Sequence, residues 1–76
     1  ATNFAIVNVS DLEVFEAGAV IDTQALQEKG LVKKAYDGVK VLGNGNLSKA
    51  VTVKASAFSE SAKSKIEAAG GKAEVI

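Results

Sequence analysis

The sequence predicts a small α/β domain, and three observations carry that prediction. Short runs of aliphatic and β-branched residues recur at positions 4–9, 39–42, 51–54 and 72–76. Helix-capping patterns stand between them, at Ser10-Asp11-Leu12-Glu13, at Asp22-Thr23, and at Ser59 or Ser61. Glycine follows each candidate helix, at Gly18, Gly30 and Gly70-Gly71. Alternation of strands and helices along a chain is the signature of α/β layering. No fixed-period repeat or low-complexity linker interrupts it, so residues 1–76 read as one domain.

Each element has its own local reason. Phe4-Ala5-Ile6-Val7-Asn8-Val9 is a continuous apolar run and predicts a strand buried on both faces. Ser10 to Glu13 has the form of a capping box, in which the Ser10 hydroxyl accepts the Glu13 N–H and the Glu13 carboxylate accepts the Ser10 N–H. Val9 and Val14 flank it at staple spacing, and Asp11, Glu13 and Glu16 suit the positive end of a helix dipole. This short helix ends at Gly18. Val20-Ile21 leads into Asp22, which caps a helix over 23–29 that stops at Gly30, with Ile21 and Leu26 as a second staple. Val39-Lys40-Val41-Leu42 predicts a strand and Gly43-Asn44-Gly45-Asn46 a turn whose residues tolerate positive φ. Val51-Thr52-Val53-Lys54 alternates, with Val51 and Val53 inward. The longest helix runs from its serine cap to about Ala69, its apolar stripe being Ala62, Ile66 and Ala69. Gly70-Gly71 terminates it, and Lys72 to Ile76 returns as a final strand.

Composition removes several function classes. With no cysteine and no histidine there is no disulfide framework, no usual zinc-ligand set, and neither a conventional catalytic triad nor a thiolate site. The clustered acids Asp11, Glu13 and Glu16 read as a helix-dipole group rather than catalytic carboxylates. No enzyme activity, cofactor, metal or small-molecule substrate is expected. No apolar run approaches the ~20 residues of a membrane span, and the N-terminus lacks the form of a secretory signal, so a soluble cytoplasmic setting is expected.

Charge is the positive signal. Of nine lysines, eight lie between Lys29 and Lys65, where Asp37 and Glu60 are the only acids, while the first 28 residues hold five acids and no lysine. A net charge of zero thus hides a basic body, a hint of a polyanionic partner. Arginine and proline are both missing, so every cation is a point charge without a bidentate fork.

The residues also carry a family likeness. Val39 to Gly45, Leu47-Ser48-Lys49, Val51 to Ala55, Phe58-Ser59 with Ser61-Ala62, and Ile66 to Lys72, preceded by Val7 to Leu12 and Gly30 to Lys34, form one colinear succession. It resembles the C-terminal domain of bacterial large-subunit ribosomal protein fifteen. The resemblance implies an irregular strand-strand-helix superhelix that binds large-subunit ribosomal RNA, supports subunit assembly on the ribosome beside neighbouring ribosomal proteins, and performs no catalysis. It also implies that the family's basic, glycine-rich N-terminal arm is absent from this chain. Members are strongly basic, whereas this chain is neutral, with Ala50 and Ala57 where a lysine or polar residue is common and Ser56 where histidine is frequent.

Lys33, Lys34, Lys49, Lys54, Lys63 and Lys65 are the candidate RNA-binding residues, each able to neutralise phosphate charge without reading sequence. Ser56, Ser59 and Ser61 offer hydroxyls, though helix capping is the stronger reading of the last two. Gly43-Asn44-Gly45 is not a phosphate loop, because Ser48 stands where a third glycine belongs; as a turn it could let RNA backbone approach. Phe4, Phe15 and Phe58 read as core, leaving Tyr36 as the one candidate for base stacking. The rival reading is an engineered or simplified-alphabet scaffold that keeps the fold with RNA binding weakened or lost. A weaker alternative is a protein-interaction module using the acidic first 28 residues.

Overall fold

The computed structural model of the chain describes residues 3–33 and 38–76. In order these form β1 (Ala5–Asn8), a 3-10 helix (Val9–Val14), β2 (Val20–Ile21), α1 (Thr23–Glu28), β3 (Val39–Leu42), β4 (Thr52–Ala55), β5 (Ala57–Phe58), α2 (Glu60–Ala68) and β6 (Lys72–Val75). The strands make two three-stranded sheets, ordered β1-β3-β5 and β2-β4-β6, with every pairing parallel. Successive strands therefore alternate between the sheets, and the chain winds so that each lap lays one strand on each. This is the small α/β domain the sequence predicts, and the winding agrees with a superhelix.

Register places the core. Val7, Val41 and Phe58 are partners across the first sheet, and Ile21, Val53 and Ala73 across the second. Leu12, Ile21, Leu26, Val53, Ala62 and Ile66 are wholly buried. Removing a Leu or Ile side chain from water contributes roughly 1.5–3 kcal/mol, so this short list supplies much of the folding free energy. No polar or charged residue is buried with them among the described residues.

Parallel sheets usually carry helices on both faces. Here the strands instead alternate buried positions with half-buried or exposed ones. Ile6 is accordingly 50% exposed, which corrects the expectation of a first strand buried on both faces. The outer face of the first sheet carries Ile6, Lys40 and Ala57 in register, and that of the second carries Val20, Thr52 and Lys72.

The caps follow short-range logic with one exception. Asp22 accepts the Ala25 N–H at 2.9 Å and starts α1, a helix of six residues too short to persist alone. Ser59 caps α2 by accepting the Ala62 N–H at 3.1 Å. That helix closes in a Schellman pair, Gly70 N–H to the Glu67 carbonyl and Gly71 N–H to the Ile66 carbonyl, with Gly70 at φ +86°. The first predicted helix is instead a 3-10 helix with Asn8 as its N-cap. Its reciprocal acid is Asp11, whose carboxylate accepts the Asn8 N–H at 2.9 Å. The Ser10–Glu13 box does not form, because Glu13 is drawn to a partner 35 positions away. Of the predicted core phenylalanines, Phe15 is buried and Phe58 packs against the core, whereas Phe4 is only half-buried.

β2 and β5 have no counterpart among the predicted strands. Each is two residues long and exists through its pairing with β4 or β3. The segment 43–46, with Gly45 at φ +82°, leads from β3 of one sheet toward β4 of the other.

Candidate nucleic-acid interface

Five of the six lysines singled out in the sequence lie among the described residues, in distinct surroundings. Lys33 is exposed just beyond Val32, which is buried. Lys34 and the candidate stacker Tyr36 lie outside the described residues. Lys63 is exposed on α2. Lys65 is two residues on, about 200° around the helix at ~100° per residue, and so projects from the opposite flank. Lys54 is half-buried on the outer face of β4, in register with Glu74 of β6.

Lys49 and Lys65 are intramolecular ties. The Lys65 ammonium donates to the carbonyls of Gly43 and Gly45, at 2.6 Å each. The Lys49 ammonium donates to the carbonyls of Glu13 at 2.7 Å and Phe15 at 3.1 Å. These carbonyls belong to the end of the 3-10 helix, where intrahelical partners run out. Ser48 adds its N–H and its hydroxyl to the Glu13 carboxylate. The Ser48 N–H, then its hydroxyl, and then the nearby Lys49 charge hold the Glu13 pKa below the usual carboxylate value. Residues 43–49 are thereby pinned along their length, with the Ser10 N–H also donating to the Asn44 carbonyl at 3.3 Å.

Glycine in this loop serves the same close packing. A Cβ on Gly43 would collide with the Ser61 side chain and lie 2.9 Å from the Ala62 nitrogen, and one on Gly45 would collide with the Ser10 Cβ. The glycines make room for the protein's own α2 and 3-10 helix, where the sequence suggested an approaching RNA backbone. Ser59 is engaged as a cap, with the Ser61 hydroxyl 3.3 Å from its own, and Ser56 abuts Gly38.

Other cations stand outside the predicted set. Lys29 sits 5.9 Å above the centre of the Phe15 ring, so Lys29 and Lys49 meet Phe15 at its ring and at its carbonyl. Lys40 points outward from β3 between Ile6 and Ala57. Lys72 is exposed on β6 beside a concavity of about 380 Å³, whose walls include Gly18, Ala50, Thr52, Gly70 and Gly71. Its signal in the sequence was a lysine immediately after a helix-ending glycine pair, opening a strand.

Among the described residues, the other five candidates lie on different elements: Lys33 after α1, Lys49 in the loop before β4, Lys54 on β4, and Lys63 and Lys65 on α2. The outward cations divide among the two sheet faces, α2 and the segment after α1. Among the described residues, no group of three acidic, cysteine or histidine side chains is placed to hold a metal, and no helix is long and apolar enough to cross a membrane.

Residues 6–74 match the family described as ribosomal proteins 50S-L15 and 50S-L18e, together with their 60S counterpart. The large ribosomal subunit protein uL15 of Syntrophotalea carbinolica is 62% identical over 74 residues, covering 96% of this chain and 50% of that protein. Its namesake in Lactobacillus delbrueckii subsp. bulgaricus is 62% identical over 73 residues, with the same coverage. The chain therefore spans about half the length of the curated relatives it matches. A family of ribosomal constituents accords with the expectation that the chain is not an enzyme. Parallel strands wound with short helices, a colinear succession of strand, loop and cap residues, and this near-complete match lead to one conclusion: the chain belongs to the ribosomal protein family of 50S-L15 and 50S-L18e.

Proposed function

We propose that this chain is a structural, RNA-docking domain of the large ribosomal subunit, working in the cytoplasm as part of the ribosome and supporting subunit assembly. Its partners are large-subunit ribosomal RNA and neighbouring ribosomal proteins. The observation that carries this reading is 62% identity, across nearly the whole chain, to proteins named for the large ribosomal subunit. Binding is electrostatic and shape-directed, through lysine contacts to phosphate.

The ties made by Lys49 and Lys65 refine which lysines act. An ammonium has three donors, and two on each of these are engaged with carbonyls. Lys33, Lys34, Lys54 and Lys63 then remain as the phosphate contacts within the original set. Four such contacts give a log affinity that falls with log salt at a slope of about −3 to −4. Filter binding of a large-subunit ribosomal RNA transcript across salt concentrations tests this. Absence of RNA retention at low salt, from a chain that unfolds cooperatively, would favour the scaffold reading. The same two ties motivate that rival, since they put lysine to use in the fold itself.

A further inference from the structure

We infer that the concavity beside Lys72 is a docking site for the sugar-phosphate backbone of RNA, with Lys72 and Thr52 as its phosphate-binding side chains. The inference rests on the RNA-binding reading and locates it at a place the lysine-rich central segment did not include. The walls come from three separate segments: Gly18 before β2, Ala50 and Thr52 at the start of β4, and Gly70 and Gly71 between α2 and β6. The hollow is shallow and open to solvent, with a volume of about 380 Å³.

Its small residues are fixed by the fold. Gly18 and Gly70 have φ of +87° and +86°, and a Cβ on Gly71 would collide with the Val51 carbonyl oxygen. The result is an accessible stretch of protein backbone with almost no side chains over it, which a second backbone can approach closely.

Most of the backbone donors around the hollow are already committed. The Gly18 N–H is bonded to the Ala50 carbonyl, Thr52 to Ala19, Gly70 to Glu67, Gly71 to Ile66 and Lys72 to Val51. With these five amides engaged inside the protein, side chains are the mobile donors that can reach a phosphate here. Thr52 and Lys72 supply them, as direct cross-strand partners on the outer face of the second sheet. Lys54, two residues along β4, is a separate contact, in register with Glu74 rather than with a hydroxyl. The C-terminal end of α2 also adjoins the hollow, and its partial negative charge makes the Lys72 ammonium necessary rather than supplementary.

The test uses the full chain, a large-subunit ribosomal RNA transcript in filter binding, and amide NMR with a short RNA duplex. Lys72→Gln should weaken binding about tenfold at low salt, as loss of one charge-assisted contact does, and make the salt slope shallower by about 0.7–0.9. Ala50→Glu, at an exposed wall position, should weaken it at least as much by filling the hollow with negative charge. Amide signals of Gly18, Ala50, Gly70 and Gly71 should shift with the duplex in the parent chain and stay in place in Lys72→Gln. If the parent binds RNA with its full salt slope while both variants match it and these amides do not move, the site is overturned and RNA binding stands. If the folded parent retains no RNA, both fall together.

Discussion

Loop 43–49 and the outer face of the β2-β4-β6 sheet use the same amino acid for opposite ends. In the loop, Lys65 reaches in and Lys49 reaches out, and both ammonium groups finish on backbone carbonyls. On the sheet, Lys72 stands exposed beside a hydroxyl and a bare hollow. Charge density along a sequence therefore does not map an interface. A lysine next to a glycine-rich loop is as well suited to stitching that loop as to meeting an anion, and the deciding factor is which carbonyls have lost their helical or ladder partners.

Substitutions separate the two regions, the costliest first. Gly71→Ala drives a Cβ into the Val51 carbonyl, and it should cost about 3 kcal/mol, the top of the usual overpacking range. Gly18→Ala meets open space and carries only the positive-φ strain of about 1–2 kcal/mol. Urea unfolding of the two variants separates collision from conformation, and equal losses would refute the close approach at Gly71.

Next in size, Lys65→Met leaves the Gly43 and Gly45 carbonyls without their donor and should lose about 1–3 kcal/mol. Lys63→Met, exposed on the other flank of α2, should stay within about 0.5 kcal/mol. The contrast between loop and surface lysines breaks if the two variants share one denaturation midpoint. Ser59→Ala removes the α2 cap at a cost of about 1 kcal/mol, whereas Ser61→Ala leaves the cap in place and should change the midpoint little.

The smallest effect is a pH dependence. The folded pKa of Glu13 lies below its ordinary value of 4.5, mainly because it accepts the Ser48 N–H and hydroxyl. Its stabilisation is therefore full above about pH 4.5 and is lost as pH falls through the lowered folded value. Glu13→Gln should flatten that part of the acid limb and leave the neutral-pH salt dependence of RNA affinity unchanged. An acid limb identical in parent and variant would remove Glu13 from the stitching of the loop.

Local chemistry was legible in the sequence. The third strand matches its predicted span, Asp22 and Ser59 cap the predicted helices, and the glycine pair ends α2 as expected. Each of these signals acts over about four residues. What escaped the sequence acts over tens of residues. Glu13 forms its bonds with Ser48 and so abandons the box drawn for it, and β2 and β5 are strands only because β4 and β3 offer them partners. The candidate site follows the same division. The choice of lysine as the cation-bearing residue was readable, but Lys49 and Lys65 turn to carbonyls that lie 34 and 22 positions away, and Lys72 gained its setting from three segments that meet only after folding.

The alternation of strands between two sheets has a kinetic corollary. Ala5 pairs with Val39 and Val20 with Thr52, so neither sheet contains a neighbour made by a tight hairpin. Long stretches of chain must close before any ladder is rewarded, which places such a topology among slow folders, at milliseconds to seconds rather than microseconds. The first sheet has all its strands by Phe58, whereas the second waits for β6 at Lys72–Val75. A nascent copy therefore has the material for one complete seam before the other, and its last strand closes the winding.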